Sequence, residues 1–319
     1  MTTSFRSKAL AAAITLAAVS AANASPFVIN NGQDFGNNGS SSTSSIKSLG
    51  FTGTTATSIY LGNPAVAGTS VIDTNIASEM SAFGFTAGSK VAMDGLTPLT
   101  FAFPTFAGPL NIDALNNDPS GVADENGFAT GVGTNKYGVV SPEGKTWGLT
   151  YQYKLLGQTT ATDVQYTGGF LDIFYQTDAN GAGAKQVLRL NVTGSQFQGV
   201  NLNLLGLVSF DFDDDGDNDA DAFVQSFWKD ELTNKSFYEH WSNGSNSAKW
   251  AINTNVVPPI PTLSQLWQST DANGNPGALF RQSTLNGTLE FTVPEPGSLA
   301  LFGLALAGMG FVRRKQSGK

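Results

Sequence analysis

Hydrophobic positions along this 319-residue chain follow three regimes. They are continuous near both ends, they alternate with polar positions through the second half, and they show no clear period between residues 25 and 145. The alternation is strict in Thr150–Leu155, where Tyr151, Tyr153 and Leu155 share one face and Thr150, Gln152 and Lys154 the other. That is the period of two that a strand with one buried face imposes. Val187–Thr193 repeats it, with Leu188, Leu190 and Val192 opposed to Arg189 and Asn191. Gly168-Gly169 leads into an earlier strand, Phe170–Gln176, and the turn residues Asp178-Ala179-Asn180-Gly181 join the two into a predicted hairpin. Asn201–Phe212 contains another strand. Thr288–Val293 is the last, with Leu289, Phe291 and Val293 on one face. The expected fold class is therefore mainly β, an antiparallel β-sandwich or jelly-roll-like body.

The first half is harder to read. Asn30–Ser48 is polar and includes Gly39-Ser40-Ser41-Ser42-Thr43-Ser44-Ser45, which predicts a flexible arm, taken over 25–48, or a long loop. Ser78–Phe85 predicts a short helix, stopped by Gly84 and Gly88. A separate N-terminal subdomain stays open.

The two continuous apolar runs differ in their flanks. Arg6 and Lys8 precede the uncharged run Ala9–Ala22, and Ala22-Asn23-Ala24 follows as an A-x-A site before Ser25. These are the parts of a secretory signal peptide over 1–24, cleaved after Ala24, with Ala22 and Ala24 read by the narrow pocket of a signal peptidase. An uncleaved membrane helix is the alternative, but the run is short of the ~20 residues a span needs. At the other end, Val293-Pro294-Glu295-Pro296-Gly297-Ser298 leads into an uncharged run that closes on Arg313-Arg314-Lys315. Residues 298–312 predict a single, short membrane helix, and the three cations hold its far side in the cytoplasm. Both ends place the body, residues 25–293, outside the inner membrane, with the membrane touched only through the tail. Pro294 and Pro296 forbid regular helix and leave an extended segment at the membrane surface, as a peptidase requires.

Pro294-Glu295-Pro296, one short apolar span and a closing Arg-Arg-Lys, in this order and spacing, resemble the PEP-CTERM sorting tail, here residues 294–319. The resemblance implies a Gram-negative bacterium and an exosortase, a membrane-embedded cysteine peptidase or transpeptidase acting near the Pro-Glu-Pro segment. It also implies export through the Sec machinery, an inner-membrane-anchored precursor, and a body that ends at the outer surface or in the extracellular matrix. Proteins with such tails accompany exopolysaccharide, biofilm and floc formation. The stretch from Gly169 to Val293 is similar to flocculation-associated members.

Charge narrows the partners. Residues 25–295 carry 25 acidic against 11 basic side chains, a net charge of −14. Such a body repels nucleic acid and anionic lipid and favours divalent cations. The chain has no cysteine, which excludes a thiol nucleophile, a zinc–thiolate site and thiol-linked haem. A body of this length can bury a sufficient core without disulfides.

The acidity is concentrated in Asp211-Phe212-Asp213-Asp214-Asp215-Gly216-Asp217-Asn218-Asp219-Ala220-Asp221. Alternate carboxylates with a central glycine suit Ca²⁺, which takes six to eight oxygens. The spacing resembles the first nine positions of an EF-hand or dockerin-type calcium loop, on Asp211, Asp213, Asp215, Gly216, Asp217 and Asp219. It departs at the twelfth, where Ala222 stands in place of a bidentate Glu and Asp221 is the nearest substitute. The alternative is a solvated acidic turn. Flanking strands, rather than helices, are expected here.

No catalytic constellation emerges. His240, the only histidine, lies in Phe237-Tyr238-Glu239-His240-Trp241 and reads as a packed residue. The G-x-S-x-G, H-E-x-x-H and phosphate-loop motifs are absent. Glu143, Glu239 and Glu290 are acid/base candidates by residue type alone. Trp228, Tyr238, Trp241 and Trp250 are core residues first and sugar platforms second. The expectation is a noncatalytic envelope or matrix protein held among exopolysaccharide. A Ca²⁺-dependent carbohydrate-binding module and a secreted glycan hydrolase are the alternatives.

Overall fold

The computed structural model describes residues 24–32, 41–43, 45–103, 113–115, 148–176, 183–198, 201–213, 219–244, 248–255, 260–271 and 273–293. The signal segment up to Asn23, Glu143, the turn at 178–181 and the whole sorting tail lie outside them.

The body is mainly β and antiparallel, as the alternation requires. Eight strands form its frame: β2 (Ser48–Tyr60), β3 (Ser70–Thr74), β7 (Gly148–Thr159), β8 (Val164–Gln176), β9 (Lys185–Gln198), β10 (Asn201–Ser209), β12 (Lys249–Asn255) and β14 (Pro276–Thr292). Their order is β12-β10-β9-β8-β7-β3-β2-β14, and β14 pairs back onto β12. The sheet thus closes on itself as an eight-stranded barrel, so the two faces expected of a sandwich belong to one continuous sheet. Closure falls to β14. Its 17 residues pair with β2 from Leu279 to Glu290 and with β12 from Gly287 to Thr292.

Among the described residues four register shifts interrupt the frame, at Leu156/Gly157 in β7–β8, at Ile173/Phe174 in β8–β9 and at two further places where glycine meets a crowded neighbour. The β9–β10 register shifts at Leu205/Gly206, and the β2–β14 register shifts at Leu285/Gly287. A Cβ on Gly206 would lie 1.9 Å from the Asn191 carbonyl oxygen and 2.5 Å from the Trp250 ring. At Gly287 it would lie 2.5 Å from both the Asn253 carbonyl oxygen and the Phe51 ring. Glycine is required at both places by close approach.

The predicted β8–β9 hairpin is present, with Leu171 opposite Leu190 and Ile173 opposite Leu188. Its ladder runs only from Tyr175↔Lys185 to Phe170↔Asn191. Beyond that the strands part, and the Tyr166 N–H donates to Ser195 Oγ at 2.8 Å in place of a backbone carbonyl.

The alternating faces of the barrel strands build the main core, which includes Leu49, Tyr151, Ile173, Leu190, Leu204, Ile252 and Phe291. A second core lies elsewhere: Ile59, Met80, Phe85, Phe101 and Phe280 pack together, with Trp267 against them. It is assembled from the helix α1 (Ala77–Ala82), the hairpin of β4 (Gly88–Val91) and β5 (Pro98–Phe101), and β13 (Trp267–Thr270), which pairs with the start of β14. Ile59 and Tyr60 are consecutive and both fully buried, one in each direction. This double burial removes the period of two and explains why the first half is hard to read. α1 matches the helix expected at Ser78–Phe85, and Gly84 ends it with φ +80°. The three-residue β6 (Asp113–Leu115) adds to β7.

One expectation is corrected. The described part of 25–48 is no flexible arm. Within it β1 (Phe27–Ile29) pairs with β11 (Trp228–Asp230), and Phe27 also bridges to Ile46. Phe27, Ile29, Thr43 and Ile46 are buried. A few apolar residues spaced among serines and glycines suffice to anchor this stretch, because each one removes a whole side chain from water.

Candidate functional site

The sorting motif leaves the body at the end of β14, and that end is elaborately built. Phe27, Trp228, Phe237 and Phe291 form an aromatic plug in which every pair of ring centroids lies 5.0–6.2 Å apart. The Trp228 indole N–H donates to the Val187 carbonyl at 3.0 Å, so the plug is tied to β9 as well. Ser25, the first residue after the predicted signal cleavage, completes the seam. Its N–H donates to the Phe291 carbonyl at 2.7 Å, and its Oγ accepts the Val293 N–H at 3.0 Å. Ser25 is buried and Ala24 half-buried. The first and last residues of the predicted body, Ser25 and Val293, are therefore bonded to each other. Pro294, Glu295, Pro296, Arg313, Arg314, Lys315 and Ala22 lie outside the described residues.

The acidic loop starts at the same end of the barrel, just after β10. Asp211, Asp213 and Asp219 bring carboxylate oxygens within 4.8 Å of one another. Asp219 also accepts the Phe212 N–H at 2.7 Å, and the Asp211 N–H donates to Ser209 Oγ at 3.2 Å. These bonds fold the loop back on itself. Asp215 and Asp217 lie outside the described residues. Asp221 has another role. Its carboxylate accepts the Val224 N–H at 3.0 Å as the N-cap of α2 (Ala222–Phe227), and it pairs with Lys185. The Lys185 hydrogen bond, joined by the Val224 N–H, holds the Asp221 carboxyl below its ordinary range. The loop is thus flanked by a strand before and a short helix after, where strands were expected on both sides. Asp211, Asp213 and Asp219 are the described carboxylates with the spacing to share a cation.

Most of the remaining described candidates have packing or capping partners, and Glu143 lies outside the described residues. Trp228 and Trp250 are buried in the core, and Tyr238 and Trp241 pack against it beside Phe210. Glu239 accepts the Ser236 N–H at 2.6 Å, which closes a capping box on α3 (Phe237–Ser242). Glu290 lies on β14 opposite Ser48 and Ala251 and is exposed. His240 is buried, with Nε2 3.2 Å from Thr233 Oγ1 and 3.8 Å from Asp230 Oδ2. Burial pushes its pKa down, against a smaller upward pull from Asp230. Asp230 also accepts the Thr233 N–H at 3.1 Å. The trio holds the turn between β11 and α3.

Sequence reasoning missed a polar cluster inside the barrel. Asp73, on β3, accepts from Tyr153 Oη at 2.9 Å, Ser58 Oγ at 2.8 Å and Tyr166 Oη at 3.2 Å, all buried. Burial, and then the Asp73 charge, raises the pKa of both tyrosines well above its ordinary value. Their hydroxyls therefore stay protonated as donors. A carboxylate in the same strand register as Val71 was the signal available. On the other side of the sheet, Asp172 and Arg189 form a buried ion pair at 2.7 Å, with the guanidinium over the Phe170 ring.

The closing strand of this mainly β barrel runs directly into the C-terminal segment. Residues 292–315 match the PEP-CTERM protein-sorting motif. The chain carries that motif, which marks an exported protein targeted to an exosortase and anchored in the membrane as a precursor before processing. No curated protein and no solved structure matches the chain. Among the described residues no helix is long and apolar enough to cross a membrane.

Proposed function

We propose that the barrel is a noncatalytic envelope or extracellular-matrix component of a Gram-negative bacterium. In this reading the Sec machinery exports it and a signal peptidase cuts after Ala24. An exosortase then cuts near Pro294-Glu295-Pro296, and the body stays among exopolysaccharide, where it contributes to biofilm or floc. The observation that carries this reading is where the motif begins. Its match starts at Thr292, the last residue of the strand that closes the barrel. A cut beyond Val293 releases a body that keeps its closing strand and its Ser25 seam. Four residues separate Val293 from the predicted span, and fully extended they reach at most ~14 Å. The precursor body is then held close to the bilayer, with its plugged end facing the membrane.

Intact mass of the protein from culture supernatant tests the processing. The expected product begins at Ser25 and ends near Glu295, and a Pro294→Ala/Glu295→Ala/Pro296→Ala variant stays in membranes at precursor mass. Release of that variant with an unchanged C-terminus would overturn it. Gene deletion that leaves floc and biofilm mass unaltered would overturn the matrix role. A second reading, Ca²⁺-dependent carbohydrate binding, draws on the convergence of Asp211, Asp213 and Asp219. Polysaccharide pulldown with and without chelator separates it from the first.

A further inference from the structure

Two spaces in the barrel invite a ligand, and size separates them. The interior gap beside Asp73, walled by Phe51, Tyr151, Tyr153 and Trp250, has room for about 30 Å³. Ligand pockets run from roughly 300 to 1,000 Å³, so this gap suits little more than water. The second is an open groove of about 450 Å³ lined by Thr160, Asp163, Gln165, Ser195, Gln196 and Phe197. It lies where β8 and β9 part. Along the strands this is the end opposite to Ser25 and Val293, because Thr159↔Val164 closes the far side of a ladder that starts at Gly148↔Gln176.

The lining has a definite chemistry. Gln165 and Gln196 are exposed, and neither side-chain amide has a protein partner among the described residues. Each offers donors and an acceptor. Ser195 Oγ accepts the Tyr166 N–H, which leaves its own proton for donation into the groove. Asp163 takes the Thr160 hydroxyl on Oδ1 and keeps Oδ2 as an acceptor. Phe197 is half-buried, anchored on the core at one side. Among the described residues the groove is lined by no Lys, Arg or His, so its described lining has no cation to attract an anion. Nor can a peptide strand slot between β8 and β9. An inserted strand needs about 9.5 Å between its neighbours, twice the ordinary spacing, whereas one serine hydroxyl bridges these two.

We propose that this groove binds a neutral polysaccharide segment. Sugar hydroxyls pair with the two amides, the Ser195 hydroxyl and the Asp163 carboxylate, and the apolar face of one ring lies on Phe197. Uronate-rich chains are disfavoured, because Asp163 would repel them and no cation compensates. The groove sits at the pole away from the tail, so a body tethered by its C-terminus presents it outward. The inference deepens the matrix reading and rests on it for the choice of a glycan as the source of the hydroxyls.

The test is calorimetry on the processed protein from culture supernatant, with cellohexaose, maltohexaose and chitohexaose as neutral probes and polygalacturonate as the anionic one. At least one neutral hexaose is expected to bind. Phe197→Ala should weaken it about tenfold, equivalent to about 1.4 kcal/mol. Gln165→Ala and Gln196→Ala, both at exposed positions, should each weaken it severalfold without moving the unfolding midpoint. Three results overturn the proposal: no neutral hexaose binds, polygalacturonate binds as well, or the two Gln variants bind like the parent. If binding fails while gene deletion still reduces matrix mass, the groove assignment falls and the matrix role stands. If binding holds while deletion changes nothing, the reverse follows.

Discussion

Replacing Asp73 by Ala should be among the most damaging single changes in the body. The substitution removes the acceptor of three buried hydrogen bonds, from Tyr153, Ser58 and Tyr166. All three donors are buried. A buried donor left without a partner costs about 1–3 kcal/mol. The groups share one carboxylate, so the separate costs do not add, and the expected loss is ~3–5 kcal/mol. With a urea m-value near 3 kcal/mol/M, the midpoint should fall by about 1–1.7 M. Tyr153→Phe removes one donor and leaves the carboxylate two others, so its loss should be about 1–1.5 kcal/mol. Equilibrium urea unfolding of the processed protein, followed by tryptophan fluorescence, reads both. A midpoint for Asp73→Ala within about 0.3 M of the parent would refute the reasoning, because the cluster would then be solvated or dispensable.

Three further outcomes follow from the same geometry. Gly206→Ala should destabilise by at least ~2 kcal/mol, because the new methyl meets the Asn191 carbonyl and the Trp250 ring at the bulge, and thermal unfolding should show a drop of several degrees. His240 has a folded pKa below its unfolded value near 6.5, so the unfolded chain takes up the proton first. Stability should be level above that pH and decline as pH falls below it, and His240→Gln should flatten the profile in urea melts between about pH 5 and 7. If the acidic loop holds Ca²⁺, millimolar Ca²⁺ should raise the thermal midpoint of the parent, and an Asp211→Asn/Asp213→Asn/Asp219→Asn variant should lose that increment. No heat and no shift in the parent would remove calcium from the account.

Where apolar side chains on one face of a strand meet the core and polar ones fill the other, local sequence was enough. Tyr151, Tyr153 and Leu155, and then Leu188, Leu190 and Val192, announced their strands by period alone, and both sets are buried. The acidic loop was legible as composition, but not the division within it. Only the fold turns Asp221 away to cap α2 and pair with Lys185, while Asp211, Asp213 and Asp219 converge. The anchoring of the described residues of 25–48 was not legible, because their polar residues outnumber the few apolar side chains that are buried.

What the sequence by itself determined is the sorting motif and the mainly β class. A Pro-Glu-Pro segment with its short apolar run and closing cations, and a period-two body, are local patterns. Each is legible without reference to the rest of the chain. The tertiary structure alone decided that the sheet closes, that Ser25 is bonded to Phe291 and Val293, that Asp73 meets three hydroxyls, and that β8 and β9 part to leave a groove. Each of these joins residues far apart in the chain. Such pairings depend on register, bulges and closure, which no window of neighbouring residues contains.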